Sequence, residues 1–222
     1  MNRLCCVLLL IQLPALGQVA KDANQRYRSE QGREAVAKGL SAPDRDAKQK
    51  PQELIDAMAI RPGTTVADIG TGTGYMLSYL SKAVGADGHV IAEDIFDDFL
   101  AKAKETARKA GFNNVTFVKG SETDPNLPEG EVDVILALDS YHHYDYPAKM
   151  LAGFHKALRD AGHLVIVEYY RRPEAMPGGG AMQHIRLDEP GVVKEIEANG
   201  FHLLSRREQI KGSQYMLTFE KN

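Results

Sequence analysis

Three glycines at steps of two follow an apolar strand pattern early in the chain. The segment reads VADIGTGTGY over residues 66–75 and places Gly70, Gly72 and Gly74 directly after the predicted strand. Glycine lacks a Cβ atom and adopts positive φ at little cost, so the backbone here can turn sharply and lie against a ligand. A helical pattern begins near Tyr75, and a helix N-terminus offers free N–H groups beside the loop. The segment therefore predicts a ligand crevice at the carboxyl end of a strand.

Apolar strand patterns and helical patterns alternate along the chain. Strand patterns fall at residues 66–69, 90–92, 115–118, 132–138, 164–167, 201–205 and 215–219, and helical patterns at 51–60, 96–110, 147–158 and 192–198. This alternation predicts an α/β fold with a Rossmann-like, doubly wound and mostly parallel sheet that helices cover on both faces. Only the turn Lys211-Gly212-Ser213 separates the last two strands. We therefore expect the last strand to be antiparallel.

Composition and charge limit the class of protein. The 222 residues include 27 Lys and Arg against 30 Asp and Glu, for a formal net charge of −3, and 43% are hydrophobic. This length suits one compact domain, and the composition excludes a largely disordered chain. Phosphate backbones are bound by clustered Lys and Arg, so the weak acidity favours no nucleic-acid partner.

The first residues have the order of a secretory signal peptide. Arg3 precedes an apolar run over residues 4–13, and Pro14 and small residues up to Gly17 follow. This order predicts a signal peptide over residues 1–17 and an exported protein, periplasmic or secreted; without processing, the protein would be cytoplasmic. The run is shorter than the roughly 20 residues that span a bilayer, so we expect no stable membrane insertion after cleavage.

The remainder of the chain divides at the first helical pattern. Residues 18–50 are polar and predict an N-terminal arm, whereas residues 51–222 carry the alternating patterns of a folded domain. Cys5 and Cys6 are the only cysteines. Because both precede the domain, it has no disulfide framework, zinc ribbon or cysteine nucleophile.

Acidic residues follow the first three strand patterns. Asp68 lies near the end of the first, Asp94 lies twenty residues after the last loop glycine, and Glu122 and Asp124 follow the third. A carboxylate at the end of the second strand can accept hydrogen bonds from both hydroxyls of a ribose. Glu93 competes with Asp94 for this position, because side chains alternate along a strand and only one of the two is expected to point into the crevice.

The spacing of the glycines distinguishes among nucleotide ligands. A dinucleotide fingerprint requires glycine at position 75, which is tyrosine, and the Gly-Lys-Ser/Thr of a P-loop is absent. The acid followed by G-x-G-x-G, with the segments LALDSYHHYDYPAKML and LRDAGHLVIVEYYRRP, resembles the class I S-adenosylmethionine-dependent methyltransferases of the small-molecule, methyltransferase domain 11/25 type. The resemblance covers residues 51–222.

This resemblance implies a seven-stranded sheet with an antiparallel last strand and S-adenosylmethionine as cofactor. It also implies the cofactor-binding residues: the methionine portion at Asp68, Gly70, Gly72 and Gly74, the ribose at Asp94, the adenine at Glu122 and Asp124, and the region of the methyl group at Asp139. Relatives often carry aspartate directly after the glycine that follows the third strand, and here that residue is Ser121.

The end of the fourth strand pattern is expected to border the methyl acceptor. It reads DSYHHY and lacks the N-P-P-Y sequence of enzymes that methylate DNA bases or glutamine. His142 and His143 are the candidate catalytic residues, because a histidine can take a proton from a hydroxyl, thiol or amine acceptor. The alternative is that they pack against the cofactor or cap the next helix.

Histidines are also the usual ligands of transition metals. The candidates, with nearby carboxylates, are His142, His143, His155, His184, Asp139 and Glu168. Adjacent histidines in a strand-to-loop segment usually cannot both ligate one ion, and His155 lies in a helical pattern. The sequence therefore predicts no metal site.

Methyl transfer to a small-molecule acceptor is the function that these features favour. A non-catalytic nucleoside-binding module of the same fold and a protein isoaspartyl methyltransferase are the alternatives, and Tyr75 disfavours an NAD-dependent reductase. An exported enzyme would work outside the compartment in which S-adenosylmethionine is made, which favours the non-catalytic alternative if export occurs. The acceptor and the oligomeric state cannot be read from the sequence.

Overall fold

The computed structural model describes residues 19–222, so the predicted signal peptide lies outside the described residues. Two 3-10 helices span Ala23–Arg28 and Tyr141–His143. The α-helices are α1 (Glu30–Leu40), α2 (Arg45–Gln49), α3 (Pro51–Met58), α4 (Leu77–Val84), α5 (Asp97–Ala110), α6 (Pro147–Ala157), α7 (Ala181–His184) and α8 (Glu189–Glu197). The strands are β1 (Thr65–Ile69), β2 (His89–Asp94), β3 (Val115–Lys119), β4 (Val132–Leu138), β5 (Leu158–Tyr169), β6 (Phe201–Ile210) and β7 (Gln214–Lys221).

The strands form one seven-stranded sheet in the order β3-β2-β1-β4-β5-β7-β6. The pairs from β3 to β5 are parallel, whereas β7 is antiparallel to both β5 and β6. The chain moves outward in one direction from β1 to β3 and in the other from β4 onward, so the switch point lies between β1 and β4. The structure confirms the α/β class, the seven strands and the antiparallel last strand.

Helices cover both faces of the sheet and create two apolar cores. On one face, Leu151 and Phe154 of α6 and Ile196 of α8 pack against the strands. On the other face, Leu80 of α4 and Ala103 of α5 pack with α3 and the opposite sides of the same strands. The central strands read as nearly continuous apolar runs because both of their faces are buried. This layering fixes the carboxyl edge of the sheet, where the loops lie.

Two strands are longer than their sequence patterns. β5 begins at Leu158 rather than 164, and β6 continues to Ile210 rather than ending at 205. β6 is the edge strand, and its exposed residues include Arg206 and Arg207. Charged side chains are common on edge strands, where they oppose pairing with another chain. An apolar pattern therefore cannot reveal the second half of β6.

Residues 19–50 lie across the carboxyl edge of the sheet as one 3-10 helix followed by α1 and α2. Their first residues are anchored on Asp145, whose backbone oxygen accepts from the Val19 N–H at 3.2 Å and whose Oδ1 accepts from the Ala20 N–H at 3.0 Å. Gln49 at the other end donates from Nε2 to Asp139 Oδ2 at 3.2 Å. Over residues 19–222, no helix combines the length and apolarity that crossing a membrane requires.

Candidate functional site

A cavity of about 300 Å³ lies at the carboxyl ends of β1, β2 and β4, under the N-terminal segment. The residues that line it include Gly70, Gly72, Asp94, Tyr27 and His143. Open α/β sheets bind ligands in the crevice at the switch point, which here is the gap between β1 and β4. The cavity therefore lies where the glycine loop predicted a ligand.

The three loop glycines divide into two roles. All three have positive φ, and Gly70 and Gly72 line the cavity. Gly74 instead faces the helices, because a Cβ atom there would lie 2.8 Å from Leu77 Cδ1 and 3.1 Å from Ala103 Cα. The first two glycines allow the cavity wall to pack closely on the loop, because a Cβ atom would lie 2.9 Å from Ser140 Cβ at Gly70 and 3.0 Å from Leu40 Cδ1 at Gly72. The third allows the loop to pack on α4 and α5.

Asp94 lines the cavity and holds the glycine loop against the end of β2. Its Oδ2 accepts from the Gly72 N–H and its Oδ1 from the Phe96 N–H, both at 2.9 Å. Burial raises the pKa of Asp94 to about 6. An ionised carboxylate has about four lone-pair sites, so both oxygens can still accept from a ligand.

Glu93 also lines the cavity, which differs from the expectation that only one of the two acids would point inward. β1 ends at Ile69, so the long Glu93 side chain at the end of β2 reaches the loop, where Oε2 accepts from the Gly70 N–H at 3.3 Å. Its other oxygen, Oε1, is buried and has no hydrogen-bond partner within residues 19–222. Burial and the neighbouring Asp94 raise the pKa of Glu93 well above its ordinary value. This oxygen packs against Gly120, at the place that a Cβ atom of residue 120 would occupy.

Asp68 lies behind the cavity wall, whereas Asp139 is part of the wall. Asp68 is buried behind the loop, where Oδ2 accepts from Thr71 Oγ1 at 2.7 Å, and it is not among the described lining residues. Asp139 lines the cavity in the left-handed region, with φ of 51°, and Oδ1 accepts from Gln214 Nε2 at 2.6 Å. Burial, with a smaller effect of Glu168, raises the pKa of Asp139 to about 8.

The loop after β3 brings Glu122, but not Asp124, to the cavity. Ser121 and Glu122 line the cavity. Asp124 instead closes a local turn, because its Oδ1 accepts from the Asn126 N–H at 2.8 Å. An aspartate two residues before asparagine is a common signal for such a turn, and this signal could have separated the two acids in the sequence.

The N-terminal segment supplies lining residues that the sequence analysis did not identify. Tyr27, Arg28, Arg33 and Arg45 all line the cavity. The Arg45 guanidinium lies 3.8 Å from the centre of the Tyr75 ring, and its charge offsets part of the rise that burial causes in the pKa of Asp68 and of Asp139. The polar composition of this segment predicts an arm, but it contains no motif that marks these side chains.

His142 and His143 differ in their surroundings. His142 is 4% exposed, and its Nδ1 lies 2.5 Å from Glu168 Oε2, which also accepts from the His142 backbone N–H. His143 lines the cavity, and its Nδ1 lies 2.9 Å from Asn24 Oδ1. Burial lowers the pKa of both histidines well below the ordinary value, so both rings are neutral at neutral pH. His143 is therefore the one of the pair that can reach a ligand in this cavity.

Comparisons with known proteins agree with the fold and the cavity. A family profile described as a methyltransferase domain matches residues 60–215. The chain is 31% identical over 153 residues to the ubiquinone/menaquinone biosynthesis C-methyltransferase UbiE of Vibrio campbellii, covering 68% of this chain and 53% of that protein. The UbiE of Citrobacter koseri is 28% identical over 153 residues, covering 68% and 55% respectively. The chain thus spans about half the length of the curated relatives it matches.

The similarity to one solved structure covers nearly the whole of that protein. The S-adenosylmethionine-dependent methyltransferase of Aquifex aeolicus superposes with a TM-score of 0.78 at 25% identity, over 85% of this chain and 98% of that one. The sheet order, the glycine loop and the acids after β2 define the class I S-adenosylmethionine-dependent methyltransferase fold. The chain belongs to this class, within the methyltransferase domain family that its residues 60–215 match.

The residues of the cavity fit the cofactor of this family, S-adenosylmethionine. The backbone of Gly70 and Gly72 lines the cavity, and the carboxylates of Glu93 and Asp94 lie beside it at the end of β2, where they could accept from the hydroxyls of a ribose. Asp139 and Arg45 lie in the cavity wall at the other side of the loop, where the guanidinium could pair with a carboxylate and the Asp139 side chain could hydrogen-bond to an amino group. The donor set thus matches a nucleoside with an amino-acid tail.

Proposed function

We propose that the protein transfers the methyl group of S-adenosylmethionine to a small-molecule acceptor. The observation that carries this proposal is the enclosed cavity, with the glycine loop and Asp94 at one side and His143 at the other. Its volume of about 300 Å³ lies at the lower end of the roughly 300–1,000 Å³ of ligand pockets. This volume is that of a site for a small molecule such as the cofactor.

The chain's own residues have distinct tasks in this proposal. Asp94 and Glu93 accept from the ribose hydroxyls, and Ser121 and Glu122 border the base. The bound cofactor supplies an electrophilic methyl group on a sulfonium. The N-terminal segment excludes water, and alignment of the acceptor in the closed cavity supplies much of the rate. His143, with its neutral ring, accepts a proton from a hydroxyl, thiol or amine acceptor.

An aromatic or quinone-like ring is the first acceptor class to test. The two UbiE relatives are named as C-methyltransferases of ubiquinone and menaquinone biosynthesis. The cavity of this chain also has aromatic residues among its lining, Tyr27, Phe99 and Tyr144, against which a planar ring can pack.

Calorimetric titration with S-adenosylhomocysteine, with NADH as control, tests the cofactor site. We expect micromolar binding of S-adenosylhomocysteine alone. Incubation with methyl-labelled S-adenosylmethionine and a panel of phenols, quinols, thiols, amines and an isoaspartyl peptide then tests transfer. Binding without transfer to any member would favour the non-catalytic module, transfer to the peptide alone would favour the repair enzyme, and the absence of binding by folded protein would contradict the cofactor site.

We also propose that the protein is exported and cut after Gly17. The order of the first residues supports this, and so does the anchoring of Val19 and Ala20 on Asp145, just beyond the expected cleavage point. Fractionation of the source cells and N-terminal sequencing test it. We expect the exported protein to begin at Gln18, and an intact N-terminus in the cytoplasmic fraction would contradict export.

A further inference from the structure

Three histidines from two distant parts of the chain converge beside the cofactor cavity. One ring nitrogen of each of His142, His143 and His184 lies within 4.8 Å of the other two. The closest pair is His142 Nε2 and His184 Nε2, at 3.1 Å. His142 and His143 belong to a 3-10 turn rather than an extended strand, and their ring centres are 4.0 Å apart. The reason for expecting no shared ion, that adjacent side chains diverge, therefore does not hold here.

The separations suit ligands of one metal ion. Two nitrogens at about 2.0–2.1 Å from a tetrahedral zinc ion are about 3.3 Å from each other. The 3.1 Å between His142 and His184 is close to this value, and since all three nitrogens lie within 4.8 Å of one another, no ring has to move by more than about 1.5 Å. His155, by contrast, packs on Phe201 and is not part of the group.

In His142 and His143, the ring nitrogen that is not directed at the cluster has a hydrogen-bond partner of the kind found in metal sites. His142 Nδ1 is 2.5 Å from Glu168 Oε2, and His143 Nδ1 is 2.9 Å from Asn24 Oδ1. Metal-ligating histidines almost always donate their second ring N–H to a carboxylate or carbonyl oxygen, which leaves the other nitrogen for the ion. In both rings, this arrangement leaves Nε2 as the ligand atom.

The charges around the cluster are compatible with a bound cation. Glu168 is 1% exposed and lies directly behind His142. Two arginines act electrostatically on the cluster, Arg186 on His142 and Arg26 on His184. Arg186 is paired with Glu195 at 2.6 and 2.9 Å, so its charge is compensated. A hydrogen bond between His142 and His184 would explain their short distance without an ion, but it would not explain why His143 is oriented toward the same point.

We propose that Nε2 of His142, Nε2 of His143 and His184 bind one divalent transition-metal ion of the zinc type. Three histidines leave a coordination position open, as in catalytic zinc sites. His143 lines the cavity, so this position is next to the space for the acceptor. Nε2 of His143 cannot bind the ion and accept a proton at once, so in the metal-loaded protein the ion replaces this base. Its role, which rests on the proposed function, is to hold the hydroxyl oxygen or thiol sulfur of the acceptor and favour loss of its proton to solvent.

Metal binding by the full chain tests this proposal without any assay of methyl transfer. After removal of metals with a chelator, Zn²⁺ is titrated by calorimetry and Co²⁺ by its visible absorption. We expect one ion bound per chain and an absorption spectrum typical of Co²⁺ with a low coordination number. His184→Ala should weaken Zn²⁺ binding at least 100-fold, and Glu168→Gln should weaken it 10–100-fold, as for other outer-shell partners. His202→Ala is the matched control, since His202 pairs with Glu220 on the sheet edge.

Each outcome decides the proposal. Folded wild-type protein that binds no ion, or a His184→Ala variant that binds as tightly as wild type, would overturn it. If His184→Ala does not fold, X-ray absorption of the zinc-loaded wild type counts the ligands instead. Three histidine nitrogens would support the site, and fewer would overturn it. Zinc binding without methyl transfer would leave this site intact and contradict only the proposed function.

Discussion

Glu93 and Asp94 are neighbours in the chain, and both carboxylates reach the same cavity from the end of β2. Their side-chain oxygens accept hydrogen bonds from the backbone N–H groups of Gly70 and Gly72. The two acids therefore shape the glycine loop before any ligand binds. The cost is a pair of buried acids with raised pKa values, one of which has an oxygen without a partner within residues 19–222. We expect a bound ribose to offset part of this cost, because its vicinal hydroxyl groups can donate to Asp94.

Asp94→Ala should weaken binding of S-adenosylhomocysteine about 100-fold. The substitution removes an acceptor that is expected to take two hydrogen bonds, each worth about 1.5–3 kcal/mol to a charged group, and the loss is reduced by relaxation of the site. Calorimetric titration measures the affinity of both proteins for S-adenosylhomocysteine. Asp97→Ala, three residues later, is the control because Asp97 is exposed and pairs with Lys119 outside the cavity. Equal affinities for wild type and Asp94→Ala would contradict the ribose assignment, and a larger effect of Glu93→Ala would transfer it to Glu93.

The N-terminal segment is held over the site by contacts between elements. Asp46 of α2 accepts from Tyr75 Oη at 2.9 Å and from Tyr79 Oη of α4 at 2.7 Å. These contacts position the preceding residue, Arg45, whose guanidinium lies over the Tyr75 ring. The closed cavity thus depends on the fit of two helices as well as on the residues that line it.

Asp46→Ala should weaken S-adenosylhomocysteine binding about 3–10-fold, although Asp46 does not line the cavity. The reason is that α2 loses both tyrosine hydrogen bonds and Arg45 becomes less ordered, at a cost typical of one or two exposed hydrogen bonds. Asp44→Ala is the control, because Asp44 pairs only with Lys48 one turn later. If both variants bind as wild type does, the α2–α4 contact does not support the site.

Gly74→Ala should destabilise the fold more than Gly63→Ala. Both glycines have similar positive φ, 81° and 86°, but a Cβ at Gly63 has no atom within 4 Å. Gly63→Ala should therefore cost only the conformational strain of about 1–2 kcal/mol. Gly74→Ala adds a collision with α4 and α5, and we expect a further loss of about 1–3 kcal/mol. Urea unfolding measures both variants, and equal losses would exclude the packing role of Gly74.

For the molecule as a whole, the sequence predicts the sheet and the side of the cavity that the glycine loop forms. The α/β class, the antiparallel last strand and the glycine loop follow from apolar periodicity and from glycine at fixed steps, both of which are local. The arginines of the N-terminal segment and the convergence of His184 on His142 could not be predicted, because each depends on contacts between segments far apart in the chain. β6 was only half predicted because its edge position makes it polar.

The carboxyl edge of the sheet concentrates buried acids, and this gives the stability of the ligand-free protein a particular pH dependence. Burial raises the pKa of Asp68 and Asp94 to about 6 and that of Asp139 to about 8. An acid with a higher pKa in the folded state binds its proton more tightly there than in the unfolded chain. The free energy of unfolding therefore falls as pH rises from about 4, the unfolded pKa, through the folded pKa.

Asp139 should share the part of this dependence between pH 6 and pH 8 with Glu168, because burial raises the pKa of both carboxyl groups to about 8. We expect the titration of Asp139 to lower the free energy of unfolding of the wild type by about 2 kcal/mol over this interval. Asp139→Asn should have a smaller slope that retains the contribution of Glu168, because asparagine does not titrate and tolerates the left-handed backbone at this position. Urea unfolding of metal-free, cofactor-free protein at both pH values measures the difference. Asp160→Asn is the control, since the Asp160 side chain is fully exposed and should leave the slope unchanged. The same slope in wild type and Asp139→Asn would mean that Asp139 is ionised in the folded protein, held so by Gln49, Gln214 and Arg45.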